Sequence, residues 1–202
     1  MGFDERAKSW DASRRRQVLA SSVAGAIREK VGLKPDMRIL DMGAGTGLLT
    51  EHLLPFVGHV TAVDTSKGML EKFTRKFAPE SRKIDTFHGD ILEFEASAPY
   101  DGIVSSMTMH HIEDLGALFH KLHTLLKPGG FIAIADLTPE DGTFHDHGND
   151  GVHHFGFEEG ELRSLLSGPG FMAASIDMVH TILKGKRRYD IFLLTARKPP
   201  CP

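Results

Sequence analysis

Residues 39–48 read Ile-Leu-Asp-Met-Gly-Ala-Gly-Thr-Gly-Leu, a strand pattern that runs straight into a glycine-rich turn and then a helix. Glycines in such a turn let the backbone approach a ligand closely and offer it N–H groups. A dinucleotide-binding turn of the G-x-G-x-x-G type needs a small residue at position 48, where this chain has Leu48, so a nicotinamide cofactor is disfavoured. Asp41, Asp64, Asp90 and Asp136 all fall at or near the carboxyl ends of predicted parallel strands, the edge at which open α/β sheets bind ligands. Any one of them alone serves equally well as a turn residue or helix cap. Together they repel one another unless positive charge sits among them or some take up protons. A ligand bearing a sulfonium and an ammonium supplies that charge, whereas a phosphate is repelled.

Two groups of histidines add further chemistry. His110 and His111 follow the fourth predicted strand and are candidate bases for an acceptor that must lose a proton, although the same residues also suit a structural role in the turn before the next helix. His145, His147, His153 and His154, interleaved with Asp146 and Asp150, offer donors that suit zinc, nickel or manganese. Their spacing matches no fixed metal motif, so they read as a solvated loop and no resident metal is expected. The sole cysteine, Cys201, permits neither an internal disulfide nor a thiolate cluster.

Strand-like and helix-like patterns alternate from about residue 37, the signature of a parallel sheet covered by helices. Strands are predicted over 37–42, 59–64, 84–90, 100–105 and 131–136. A helix from Ser66 to Phe77 begins with a capping hydroxyl and turns Met69, Leu70, Phe73 and Phe77 inward. Leu115, Leu118, Phe119, Leu122, Leu125 and Leu126 recur at helical spacing until Lys127-Pro128-Gly129-Gly130 ends the run. Segments 174–183 and 189–197 read as strands joined by a short basic turn, and so as an antiparallel hairpin. The expected fold is therefore an α/β, doubly wound, Rossmann-like sandwich of about seven strands, parallel except for one strand introduced by the hairpin.

Length and composition fit one domain spanning 1–202, with 1–35 a helical segment packed beside or over the sheet edge and 138–156 a loop near the substrate. The chain has 202 residues, 41% of them hydrophobic, and a net charge of -3, which gives no global attraction to nucleic acid or anionic membrane. The basic runs at 14–16 and 184–188 lack interleaved aromatics and read as solvated charge. No apolar stretch approaches the roughly 20 residues that span a bilayer, and the charged N-terminus lacks a signal core, so a cytoplasmic location is expected. The expected partner is a small molecule, with no nucleic acid and no membrane, and the expected oligomeric state is monomer or homodimer.

Over residues 37–136 the sequence resembles the class I S-adenosylmethionine-dependent methyltransferases, the motifs LDMGAGTG, VTAVDTSKGML, HGDILEF, YDGIVSSMTMHHI and LLKPGGFIAIADL standing in the family's order. The resemblance implies that S-adenosylmethionine is the cofactor. It places Asp41, Gly43, Ala44, Gly45 and Gly47 around the methionine end, and Asp64 on the ribose hydroxyls with Thr65 beside it. Asp90 and Ile91 would read adenine, and Ser105 and Ser106 belong to the fourth motif at the cofactor edge. Met69 is either an adenosine neighbour or core. Trp10 and Asp11 resemble part of an N-terminal lid that folds over the cofactor, though a lone Trp in an amphipathic helix also suits packing. His110 and His111 become the catalytic candidates, and His153, His154 and Phe155 resemble an acceptor-lining lead-in to a helix over 158–167. The implied function is in-line methyl transfer to an O, N or C atom of a small molecule. Its rivals are a catalytically silent S-adenosylmethionine-binding regulator and, further off, an NAD-dependent dehydrogenase.

Overall fold

The computed structural model describes residues 2–146 and 148–201. The chain opens with a short helix α1 (Phe3–Arg6), a 3-10 segment (Ala7–Ala12) and the long helix α2 (Arg14–Val31), which stops at Gly32 in a left-handed conformation. Strand β1 (Arg38–Met42), helix α3 (Leu48–Leu53), strand β2 (His59–Asp64), helix α4 (Lys67–Lys76) and strand β3 (Ile84–His88) complete the first half. Strand β4 (Tyr100–Ser106), helix α5 (Leu115–Leu125), strand β5 (Leu126–Leu137), helix α6 (Glu159–Ser167) and the hairpin β6 (Met172–Lys184) and β7 (Arg187–Arg197) form the second.

Among the described residues these strands build one sheet in the order β3-β2-β1-β4-β5-β7-β6. The first five pair in parallel, while β7 runs antiparallel to both β5 and β6, so the hairpin introduces the one reversed strand that the sequence predicts. The order reverses between β1 and β4, because the chain first winds outward through β2 and β3 and then returns to the other side of β1. That switch point opens a crevice at the carboxyl ends of β1 and β4, and the two loops leaving it are the glycine-rich turn and the segment carrying His110 and His111.

Side-chain alternation along the central strands splits the core into two layers. Ile39, Val104 and Leu193 pack with Val23, Ile27, Leu53 and Phe73 on one face; Leu40, Ile103 and Leu194 pack with Leu118, Leu122 and Leu162 on the other. Helix α4 is fixed at its start by Ser66, whose hydroxyl accepts from the Met69 N–H, and Asp114 caps α5 by accepting from Ala117 N–H.

Two strands differ from the sequence reading in where they begin or end. Strand β3 ends at His88, because Gly89 turns the chain with φ of +158° and leaves Asp90 in the turn that follows. Strand β5 starts at Leu126, which pairs with Tyr100 across an irregularity in the ladder, so the Lys127-Pro128-Gly129-Gly130 run both ends α5 and enters the sheet. Helix α2 lies over one edge of the sheet, as the sequence suggests, contacting α3 and the strands β6, β7 and β5 through Leu19, Val23, Ala24 and Ile27.

Candidate active site

The crevice is a cavity of about 830 Å³. Its walls come from the turn after β1, the ends of β2 and β3, the segment after β4, the N-terminal segment and part of the loop before α6. Of the residues implicated by sequence, Asp41, Gly43, Ala44, Gly45, Asp64, Thr65, Met69, Asp90, Ile91, Ser106, Trp10, His110, His111 and His153 lie on its wall.

Gly43 and Gly45 carry φ of +67° and +55°. A Cβ at Gly43 would stand 2.1 Å from the Thr108 hydroxyl oxygen, so only glycine lets the turn pass between β1 and the segment after β4. The N–H groups of this turn do not face the crevice as expected. Gly43 and Ala44 N–H donate to the Val63 carbonyl at 2.8 and 3.2 Å, and Gly47 N–H to the Ala44 carbonyl at 2.9 Å. Gly45 N–H donates to Asp64 Oδ2 at 2.7 Å. With these donors consumed, the turn offers a close-approach surface rather than an anion nest, which agrees with a cationic ligand. Gly47 itself is off the wall. It is the left-handed residue that starts α3, packed so closely that a Cβ would come within 2.4 Å of the Phe77 ring.

The four aspartates separate into two groups. Asp41, Asp64 and Asp90 border the cavity, while Asp136 is fully buried behind His110. Asp41 is 1% exposed and accepts from the Thr50 hydroxyl at 2.6 Å. Burial, reinforced by the charge of Asp64, pushes its carboxyl up to about 7. Burial also raises Asp64, against the N–H bonds it accepts from Ser66 and Gly45. Asp90 is exposed, with Oδ1 accepting from Leu92 N–H at 2.9 Å. Ser105 is buried and donates to the Met42 carbonyl at 2.7 Å, tying β4 to β1; Ser106 is the residue of the pair that reaches the cavity.

The other end of the crevice is built from imidazoles. The buried ring of His110 holds Asp136 Oδ1 through Nδ1 at 2.7 Å, and the same carboxylate accepts from the N–H groups of His110 and Leu137 at 3.2 and 2.8 Å. With Nδ1 as the donor, Nε2 carries a lone pair, and it lies 3.2 Å from Nε2 of His145. His111 contacts the Gly151 carbonyl through Nδ1 at 2.6 Å. Burial, joined by the neighbouring His110, holds His111 and His145 down at about 4, so both are neutral at pH 7.

The loop over 138–156 reaches this end through Phe144, His145, Asp146 and His153. His154 and Phe155 do not line the cavity: His154 bonds the Ile112 carbonyl at 2.9 Å, and Phe155 is solvent-exposed. The loop's histidines therefore part company, and His145 joins His110 and His111 instead of its sequence neighbours. His147 lies outside the described residues.

The N-terminal segment closes one side of the crevice. Asp4 accepts from the Ser66 hydroxyl at 2.6 Å and from Gly68 N–H at 2.7 Å, docking α1 on the start of α4. Asp11 accepts from the Thr46 hydroxyl and pairs with Lys76 at 2.8 Å. Trp10 lies beneath the Arg16 guanidinium at 3.7 Å, and Phe3 meets the His111 ring edge-on at 5.3 Å. The sequence reading missed Asp4, Phe3, Arg6 and Lys184 as residues of the site. Asp4 stands beside Glu5 in a short segment of mixed charge, a pattern that names no partner.

Comparison with known proteins fits this geometry. Residues 39–130 match the methyltransferase domain family. An uncharacterized methyltransferase of Schizosaccharomyces pombe is 34% identical over 160 residues, covering 71% of this chain and 56% of the relative. The chain thus spans about half the length of that relative. The DhpI-SAH complex superposes with a TM-score of 0.76 at 21% identity, covering 98% of this chain and 94% of the other. Phosphoethanolamine N-methyltransferase 2 of Haemonchus contortus, in complex with S-adenosyl-L-methionine, superposes with a TM-score of 0.73 at 16% identity over 98% of this chain and 60% of the other. With the sheet order, the glycine turn and the acidic strand ends in place, the chain carries a match to the methyltransferase domain over residues 39–130 and has the fold of methyltransferases solved with S-adenosylmethionine or S-adenosylhomocysteine.

Proposed function

We propose that the chain binds S-adenosylmethionine and transfers its methyl group in line to an O, N or C atom of a small-molecule acceptor. The observation that carries this is the chemical polarity of one crevice: three carboxylates, Asp41, Asp64 and Asp90, at one end and the His110–Asp136 pair at the other. A volume of about 830 Å³ lies toward the upper part of the roughly 300–1,000 Å³ range of small-molecule sites, leaving room for a cofactor and a modest acceptor together.

The bound cofactor supplies a methyl group on an already activated sulfonium leaving group. The chain's own part is alignment and exclusion of water. Asp64, at the tip of β2, is the acceptor for a pair of ribose hydroxyls, and Asp90 with the Ile91 backbone lies where an adenine edge is read. Asp41 and the surface of Gly43, Ala44 and Gly45 take the charged methionine end. Phe3, Arg6 and Trp10 shield the crevice from solvent along the N-terminal side. Where the acceptor carries a proton, Nε2 of His110 receives it, and Asp136 on Nδ1 fixes the tautomer and stabilises the imidazolium. His111 and His153 stand beside that path.

The test is an acceptor screen with methyl-labelled cofactor, reading label in product and stoichiometric S-adenosylhomocysteine. Transfer that collapses in His110→Gln supports the assignment. Transfer to protein or nucleic acid alone, with no small molecule accepting label, overturns the acceptor class.

A further inference from the structure

We propose that His110, His111 and His145 together form a binding site for one first-row divalent cation of the zinc, cobalt or nickel class, at the acceptor end of the crevice. One ring nitrogen from each residue lies within 4.8 Å of the others, and all three rings line the cavity. The Nε2 atoms of His110 and His145 are 3.2 Å apart. Two nitrogens held about 2.05 Å from a tetrahedral ion stand roughly 3.3 Å apart, so this pair already has the bite of a chelate. Without an ion the two nitrogens stand within hydrogen-bond distance of each other. The third edge closes by a shift of roughly 1.5 Å in the His111 or His145 ring, on the scale of a small rotation about the side-chain bonds.

The outward-facing nitrogens support the same conclusion. His110 is backed by the Asp136 carboxylate at 2.7 Å and His111 by the Gly151 carbonyl at 2.6 Å, which directs the remaining Nε2 lone pair of each ring inward. Carboxylate and backbone carbonyl are the partners that orient metal-bound imidazoles. His145 has a buried Nδ1 with no hydrogen-bond partner, leaving that ring less satisfied than a structural histidine normally is. A donor set of three imidazoles suits zinc, cobalt and nickel and gives no purchase to magnesium or calcium, which want oxygen ligands. Three protein ligands leave a coordination position open, the arrangement of a catalytic rather than a structural site.

That open position faces the cavity in which the acceptor is proposed to bind. It selects acceptors with an ionisable oxygen, since coordination of a hydroxyl lowers its pKa and lets its proton pass to solvent. The lone pair of His110 then serves the ion, and its role as base belongs to the metal-free protein. Two of the ligands follow β4 and the third comes from the long loop before α6, so the ion also pins that loop against the sheet.

Binding is read without cofactor or acceptor, so it fails or succeeds independently of the methyl-transfer proposal. Untagged protein is stripped with chelator and titrated with Co²⁺ and Zn²⁺, with heat and the visible cobalt spectrum recorded. The expected result is one ion per chain, with cobalt bands of the intensity that low coordination number gives. His145→Gln should weaken binding about 100-fold, and Asp136→Asn, which touches the ion only through His110, about 10- to 100-fold. His120→Gln, on the exposed side of α5, should leave binding unchanged. Thermal denaturation verifies that each variant is folded, and His111→Gln replaces His145→Gln where the latter is not. No binding by the parent beyond that of the folded ligand variant, or equal binding by both, overturns the site.

Discussion

Binding of S-adenosylmethionine at pH 6 should release close to one proton per chain, because Asp41 must ionise to meet a cation. Burial first, and the neighbouring charge of Asp64 after it, hold the Asp41 carboxyl up at about 7 in the ligand-free protein. A cationic group against that carboxylate removes both penalties and returns it toward the ordinary value of about 4. Linkage then gives about 0.9 proton released at pH 6, about 0.5 at pH 7 and about 0.1 at pH 8. Affinity follows the same curve, rising by about 30-fold between pH 5.5 and pH 8 and levelling off above. Asp64, also raised by burial, acts in the same direction. Calorimetry in phosphate and in Tris separates the proton count from the intrinsic heat, and Asp41→Asn should remove most of the buffer dependence. Identical apparent enthalpies in the two buffers at pH 6 would refute the claim that a protonated Asp41 receives the cationic end of the ligand.

The same carboxyl sets a stability trend in the ligand-free protein. Between about pH 4 and pH 7 the native state holds a proton on Asp41 that the unfolded chain has lost, so stability falls as pH rises through that window, by about 4 kcal/mol at most, and is flat above. Urea denaturation from pH 5 to pH 8, compared with Asp41→Asn, checks the sign. Gly47→Ala forces a side chain into a left-handed residue against Phe73 and Phe77 and should cost about 2–4 kcal/mol of stability, read as a lowered urea midpoint, while cofactor affinity of the folded fraction is kept. Asp4→Ala frees α1 from Ser66 and Gly68, so trypsin should cut after Arg6 and in the 14–16 run faster than in the parent, with faster cofactor release by stopped flow. In chelator-treated protein His110→Gln should lower turnover by about 10²–10⁴-fold with little change in KM for the cofactor, measured by label transfer.

The fold was legible because local signals agreed with one another. Short apolar runs marked the strands, Ser66 marked the start of α4, and the leucine stripe of α5 ended where its periodicity stopped. Boundaries slipped where the ladder needed an irregularity, as at Leu126 and Tyr100, which no residue pattern announces. In the site, residues tied to a strand end kept their expected place, since sheet topology alone brings Asp41, Asp64 and His110 to one edge. Contacts set by the third dimension were illegible. Asp136 read as a fourth cofactor carboxylate because its position along β5 is right, yet its side chain points under His110. His145 read with the histidines near it in sequence because a loop without periodicity gives no hint of which side chain turns inward. The glycine turn read as a donor surface because nothing in its composition reveals that Val63 and Asp64 already accept from it.

The most direct test of the central claim is calorimetric titration of the intact chain with S-adenosylmethionine, S-adenosylhomocysteine and NAD, alongside Asp64→Ala. The account predicts one site per chain for both adenosyl compounds, no heat with NAD, and binding weakened at least tenfold in the variant, equivalent to about 1.4 kcal/mol. Folded protein that binds neither adenosyl compound, or that binds NAD in their place, would contradict it.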